Sequence, residues 1–439
     1  LAHAREAGRF YHQGIPAAGS GDKAARAHHC RANRHIDRGD LVFDVLGDCA
    51  VLRAVLREPD EYRRAGRHRV ARHELAATRD RAQVVNQANT VFMKPTAYSG
   101  DAGQPEQRVG QLFLVSFDGT DISPDTGIYQ LITEHNIGGV ILRADNDNFT
   151  GPANTVPAAA ELISSLQTHV WENARTDAPD EQGNILESPY IPLFIGISQE
   201  GDQYPYDQII SGLTPLPNAM AIGATWEPDL AEDTGAMLGK ELRAIGFNLL
   251  FGPSLDVLSD TSESGDDLGT RTFGGDPYWV GEMAGAYIRG VHAGSDGHIA
   301  VIGKHFPGRG ESDRPPEEEV ATVRKSLEQL KLIELAPFFH VTSAQIDPLA
   351  VVDGLLVSHI RYQGFQGSNL RDTTPPVSLD ANALTQILGL EPLATWRQEG
   401  GLVISDNLGS KAVRRFYDPT EQTFDARLVA RNAFLAGND

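Results

Sequence analysis

From Gly110 to the end of the chain, short β-branched and aliphatic runs alternate with longer stretches of helical period. This is the pattern of repeated βα units around a parallel sheet. Seven strands are predicted, at 112–117, 139–142, 192–197, 248–258, 299–305, 355–360 and 402–405. Helices are predicted between them. At 228–245, Leu230, Met237, Leu238, Leu242 and Ile245 fall on one face by spacing, and 327–335 and 426–436 read similarly. The stretch 176–188, rich in Asp, Glu, Asn and Gly, reads as an inserted surface loop.

What ends each strand is more informative than the strand itself. Strand one is followed by Asp118, two by Arg143, three by Ser198, Gln199 and Glu200, and four contains Asp256. Strand five ends in Lys304 and His305, six carries His359, and seven runs into Asp406. In a (β/α)8 TIM-like barrel the carboxyl ends converge on one rim, so these groups would line a single polar, mostly negative pocket. A doubly wound open sheet would spread them along a line, and is the structural alternative. Seven strands are one short of closure, and an eighth is expected after Gly437, Asn438 and Asp439. The barrel is therefore expected to be truncated before its last strand, with unpaired edges on strands one and seven.

Charge divides the chain. Residues 1–90 hold 16 Lys and Arg against 11 Asp and Glu, a net of +5, whereas residues 91–439 hold 22 against 48, a net of −26. The first part also carries both cysteines, Cys30 and Cys49, seven of the fourteen histidines, and no sustained helix or strand period. It reads either as a basic arm for an acidic partner or as a segment foreign to the fold. The second reading is adopted, because the Arg/Ala/His-rich composition and the start at Leu1 suggest an incomplete or misframed gene end. The organisation expected is thus an extension at 1–100 and one catalytic barrel at 101–439. A net charge of −21 over 439 residues disfavours nucleic acid as a partner. No apolar run approaches the roughly 18 residues a membrane span needs, and two cysteines make neither a disulfide framework nor a four-thiolate zinc site.

The run Lys304-His305-Phe306-Pro307-Gly308-Arg309-Gly310 follows Phe251-Gly252-Pro253-Ser254-Leu255-Asp256-Val257 and Gly269-Thr270-Arg271-Thr272-Phe273-Gly274, and Gly400-Gly401-Leu402-Val403-Ile404-Ser405-Asp406-Asn407-Leu408 comes after it. In this order the four runs resemble the N-terminal barrel domain of glycoside hydrolase family 3, especially its bacterial β-N-acetylhexosaminidase branch. The resemblance implies retaining hydrolysis of β-glycosides without metal or organic cofactor, on a carbohydrate substrate, with Asp406 as nucleophile. A retaining glycosidase needs an ionised carboxylate that attacks the anomeric carbon. The resemblance also implies that Lys304, His305 and Arg271 contact sugar hydroxyls, and that Glu200 and Asp256 bind sugar or shape the pocket, although the family more often has Asp where Ser198 stands. Lys304 also reads as an ion-pair partner of Asp256 or Asp406. His359 corresponds to a pocket histidine, or else is structural.

One part of the pattern is missing. The resemblance implies an Asp-Ser-His element after the Lys-His run whose histidine acts as general acid/base, yet here Pro315-Pro316-Glu317 stands in its place. Glu317 or Glu318 replaces the histidine if burial near like charges raises its pKa. Alternatively a further C-terminal domain supplies the acid, or the protein binds sugar without efficient turnover. The glutamate run at 317–319 after two prolines also fits an ordinary first helical turn. Two other chemistries are disfavoured. A Schiff base at Lys304 needs a pocket poor in carboxylates. A metal hydrolase built on His305, His359 and Asp406 lacks the HxH and HExxH spacings.

Overall fold

The computed structural model describes residues 105–149, 154–175, 190–201, 206–258, 268–343, 345–420 and 422–439. The predicted extension at 1–100 and the loop at 176–188 lie outside them. Among the described residues nine strands occur in the order β1 (Leu114–Val115), β2 (Gly139–Ile141), β3 (Phe194–Ile197), β4 (Leu249–Ser254), β5 (Ala300–Phe306), β6 (Thr322–Val323), β7 (Gly354–Val357), β8 (Arg361–Tyr362) and β9 (Leu402–Ser405). Seven of them form one sheet, β1-β2-β3-β4-β5-β7-β9, and every neighbouring pair is parallel. The two short strands β6 and β8 pair with each other in a separate two-stranded sheet.

The sheet is curled. Leu249, Phe251, Ala300, Ile302 and Leu356 form an inner cluster against which Leu114, Ile141, Phe194 and Ile404 pack, so all seven strands contribute to it. A flat sheet could not bring β1 and β9 to one cluster. The alternate residues, Val140, Ile195, Ile197, Leu250, Val301, Leu355, Val357 and Val403, belong to the outer core shared with the helices. Two-residue alternation thus divides the strands between a barrel interior and a helix-covered exterior. Strictly sequential strand order excludes the doubly wound alternative. The result is a TIM-like barrel of seven strands whose edges are β1 and β9.

The helices Pro228–Ile245 and Pro277–Gly294 cross closely because glycines meet backbone at the contact. A Cβ on Gly235 would lie 2.2 Å from the Tyr287 carbonyl oxygen, and one on Gly290 would lie 2.0 Å from that of Glu232. This packing sets the helix face differently from its spacing. Leu238, Leu242 and Ile245 are buried as predicted, but Leu230 and Met237 are each 43% exposed, and Ala231, Thr234, Gly235 and Gly239 occupy the buried stripe instead.

Other boundaries differ too. β1 has two residues rather than six, and beyond it the Phe117 carbonyl accepts from the side-chain amides of Asn146 (3.2 Å) and Asn148 (2.9 Å). The helix predicted at 327–335 ends at Leu332, and a new one, Ala336–Val341, starts with Pro337 in its first turn, where a missing N–H costs nothing. The strand predicted at 248–258 ends at Ser254, where its register with β5 shifts.

Candidate active site

β5 shifts register against β4 between Phe251 and Ser254, and against β7 between Gly303 and Phe306. Such irregularities re-aim side chains at the end of a strand. Lys304 and His305 are consecutive, yet both are buried and each meets a carboxylate of its own, Glu200 past the end of β3 and Asp256 past the end of β4.

Asp256, fully buried past the end of β4, is the most connected group of the site. Its Oδ2 accepts from Ser254 Oγ (2.8 Å) and from His305 Nδ1 (2.7 Å), and its Oδ1 accepts from the Arg309 backbone N–H (2.9 Å). Burial would raise this carboxyl, but His305 and Arg309 outweigh it and hold the group well below the usual carboxylate range. A carboxylate only accepts, so His305 carries its proton on Nδ1. Burial and Arg309 push the imidazole below its ordinary value, which leaves Nε2 as the ring's acceptor near neutral pH.

Glu200 and Lys304 form a second buried pair, with Nζ 2.5 Å from Oε1, and Nζ also donates to Ser198 Oγ at 3.0 Å. The partner of Lys304 is therefore Glu200, not Asp256 or Asp406 as the sequence suggested. Burial raises Glu200, but Lys304 and then Arg271 offset this and leave it below its ordinary value. Glu200 is held from behind as well, since its N–H and that of Gly201 both donate to Asp207 Oδ1, at 3.0 and 2.8 Å. The Arg271 guanidinium stacks 5.0 Å from the centre of the Tyr206 ring.

Asp406 follows β9 and is half-buried. Its N–H donates to the Val357 carbonyl (2.9 Å), and its Oδ1 accepts from the next N–H, that of Asn407, at 2.7 Å. Burial raises the carboxyl, but His359, His305, the Asn407 N–H and Arg309 together hold it below the ordinary aspartate value. His359 does not present a free ring nitrogen to a sugar. Its Nδ1 lies 2.7 Å from Ser378 Oγ and its Nε2 lies 3.0 Å from the Asn407 carbonyl oxygen. Of the two readings of His359, pocket residue or structural residue, these bonds favour the structural one.

The raised pKa that an acid role for Glu317 requires is not found. Its carboxylate is 60% exposed and accepts from Arg309 Nη1 at 2.7 Å. Burial raises it, but Arg309 more than offsets that, so its pKa lies below the ordinary glutamate value rather than above it. Glu318 is likewise paired, with Lys411, and Glu319 with Arg314 at 3.0 Å.

Arg309 was not singled out by the sequence reading, although it lies inside the Lys-His run. Its guanidinium is buried and acts on Asp256, His305, Glu317 and Asp406. Gly310 beside it packs directly on β4's continuation, since a Cβ there would lie 1.8 Å from the Val257 carbonyl oxygen. Other predicted rim residues stay outside this network, and the Gln199 side chain bonds the backbone of Gln208 and Ile209 instead. Asp118 is exposed, and Arg143, also exposed, pairs with Asp145. Among the described residues no group of three or more His, Cys, Asp or Glu side chains is placed to hold a metal ion. No helix among them is long and apolar enough to cross a membrane.

The sequence profile of the glycosyl hydrolase family 3 N-terminal domain matches residues 105–439. The chain belongs to this family. A beta-hexosaminidase of Pseudomonas aeruginosa (strain UCBPP-PA14) is 32% identical over 171 residues, which cover 39% of this chain and 47% of that protein. The chain thus spans about half the length of that relative. A beta-hexosaminidase of Nitrosomonas eutropha (strain DSM 101675 / C91 / Nm57) is 28% identical over 309 residues, 69% of this chain and 74% of that protein. Among solved family 3 structures, a β-N-acetylglucosaminidase from Paenibacillus sp. str. FPU-7 superposes with a TM-score of 0.60 at 28% identity. The match covers 77% of this chain and 54% of that one.

Proposed function

We propose that this family 3 domain hydrolyses terminal β-linked sugars with retention, β-N-acetylglucosaminides foremost and β-glucosides next, through a covalent glycosyl intermediate on Asp406. The observation that carries the reading is the Asp406 carboxylate at the end of β9, bonded to the Asn407 N–H and held below its ordinary value by its histidine, N–H and arginine neighbours. That is the state a nucleophile at an anomeric carbon requires. In this reading Lys304, His305 and Arg271 orient sugar hydroxyls, while Asp256 and Glu200 fix the imidazole tautomer and the ammonium. The N-acetyl sugar is preferred because the relatives described above are named beta-hexosaminidase or β-N-acetylglucosaminidase.

The Arg309–Glu317 pair favours a second reading for the acid step. With Glu317 held ionised, the domain cleaves only bonds whose leaving group needs no protonation, unless a further domain brings an acid; its sugar-binding role then dominates. Both readings are tested by intact mass after exposure to dinitrophenyl β-N-acetylglucosaminide and dinitrophenyl β-glucoside. These leaving groups depart without acid help, so a glycosyl adduct mapped to Asp406 is expected. Folded protein that yields neither adduct nor free phenol removes the hydrolase reading and leaves the sugar-binding one.

A further inference from the structure

His359 is buried near the end of β7, and every hydrogen-bonding atom of its ring is engaged by the protein. The Asn407 carbonyl can only accept, so Nε2 must carry a proton. Burial holds the imidazole below its ordinary value, so near neutral pH the ring has one N–H and Nδ1 is an acceptor. The Ser378 hydroxyl, which is fully buried, supplies the matching donor at 2.7 Å. Ser378 is itself fixed from two sides. The Val377 N–H donates to the Ile360 carbonyl at 2.9 Å, and Asn438 Nδ2 donates to the Ser378 carbonyl at 2.8 Å.

The other end of this relay lands on the group that matters. Residue 407 gives its N–H to Asp406 Oδ1 at 2.7 Å and its carbonyl to His359 at 3.0 Å. Its side-chain Oδ1 accepts from the Gly409 N–H at 2.9 Å. The orientation of one residue therefore carries both the carboxylate contact and the histidine contact.

We propose that His359 is a positioning residue for Asp406: as the Nε2–H tautomer selected by Ser378, it anchors the Asn407 carbonyl and so aims the N–H that holds the nucleophile's carboxylate. The proposal rests on Asp406 being the nucleophile and adds how its carboxylate is held. It assigns His359 no contact with the sugar.

The test uses the whole chain and dinitrophenyl β-N-acetylglucosaminide, with rate of adduct formation and sugar affinity measured separately. A displacement of the reacting atom by about 1 Å costs on the order of 100-fold in rate. His359→Phe is therefore expected to slow adduct formation by roughly 10- to 100-fold, while the Kd for N-acetylglucosamine by calorimetry stays within about threefold, because no sugar contact is lost. His359→Gln, whose amide N–H reaches the same carbonyl, should recover most of that rate. Nitrogen-15 NMR of the wild-type imidazole should show Nε2 protonated and Nδ1 bare near pH 7. Loss of affinity in step with rate would make His359 a sugar contact and overturn the proposal. So would equal slowing in His359→Phe and His359→Gln, or a wild-type ring protonated on Nδ1. If wild type forms the adduct and His359→Phe forms it as fast, this proposal alone fails. If folded wild type forms none, the hydrolase reading fails and the positioning role falls with it.

Discussion

The Asp256 knot makes the sharpest prediction. The carboxylate is 0% exposed, and its two oxygens accept from Ser254 Oγ, His305 Nδ1 and the Arg309 N–H, all within 2.9 Å. Asp256→Ala leaves the imidazole and backbone N–H groups buried without acceptors, at about 1–3 kcal/mol each, so a total near 3–5 kcal/mol is expected. Asp256→Asn is nearly isosteric and separates the charge from the shape. Its Oδ1 can keep the Arg309 N–H, but its Nδ2 then faces the His305 Nδ1–H. Two donors cannot share a hydrogen bond, so the imidazole must move its proton to Nε2. What is lost is the charge-assisted part of the contact, about 1–2 kcal/mol. Urea denaturation gives both losses, and nitrogen-15 NMR of His305 gives the tautomer. The sign with pH follows from the depressed carboxyl. Its contribution is fully present above the unfolded aspartate pKa of about 3.9 and is lost as pH falls through the lower folded value. The deficit of Asp256→Ala should thus be constant from pH 8 to about 5 and shrink only below about 4. An Asp256→Ala protein within about 1 kcal/mol of wild type, or an Asp256→Asn protein that keeps Nδ1–H on His305, would refute the reasoning.

Three further outcomes are expected. Lys304→Met strips the buried Glu200 of its ammonium and should cost roughly 3–5 kcal/mol in urea denaturation, part of which returns when Glu200→Gln is added. His292, at the end of the helix Pro277–Gly294, faces two acceptors, the Leu349 carbonyl (2.7 Å) and Asp353 Oδ2 (2.9 Å). Burial opposes its charge, but Asp353 outweighs it and the pKa is raised, so this contribution is full below about pH 6.5 and lost as pH rises through the folded value. A urea midpoint that falls above pH 6.5 in wild type and stays level in His292→Gln is the expected result. Gly310→Ala places a methyl group against the Val257 carbonyl oxygen. It should slow adduct formation at Asp406 by moving Arg309, at a stability cost of about 1–3 kcal/mol; an unchanged rate would show that the loop tolerates the shift.

Much of the barrel can be read along the chain because parallel strands buried on both faces are short aliphatic runs, and each is closed by the polar group that its rim presents. Glu200, Asp256, Lys304, His305, His359 and Asp406 were all legible in that way. Their partners were not. Lys304 and Glu200 are 104 residues apart, and only the curl of the sheet and the register shifts of β5 decide that they meet each other rather than Asp406 or Asp256. Arg309 was hidden for the same reason, since its reach to Glu317 and its influence on Asp406 depend on a loop packed against Val257. The glutamate run at 317–319 shows the limit most clearly. Sequence reveals three adjacent like charges, which alone would raise one another's pKa. Tertiary structure gives each its own cation, Arg309, Lys411 and Arg314, which reverses the sign at Glu317. The places of the strands along the chain and the chemical kinds of the rim residues were thus determined by the sequence itself, through local periodicity, whereas their order in the sheet was not. Pairing, tautomer and protonation state were decided only by the fold, because electrostatic energies depend on distances of a few ångströms between groups far apart in the chain.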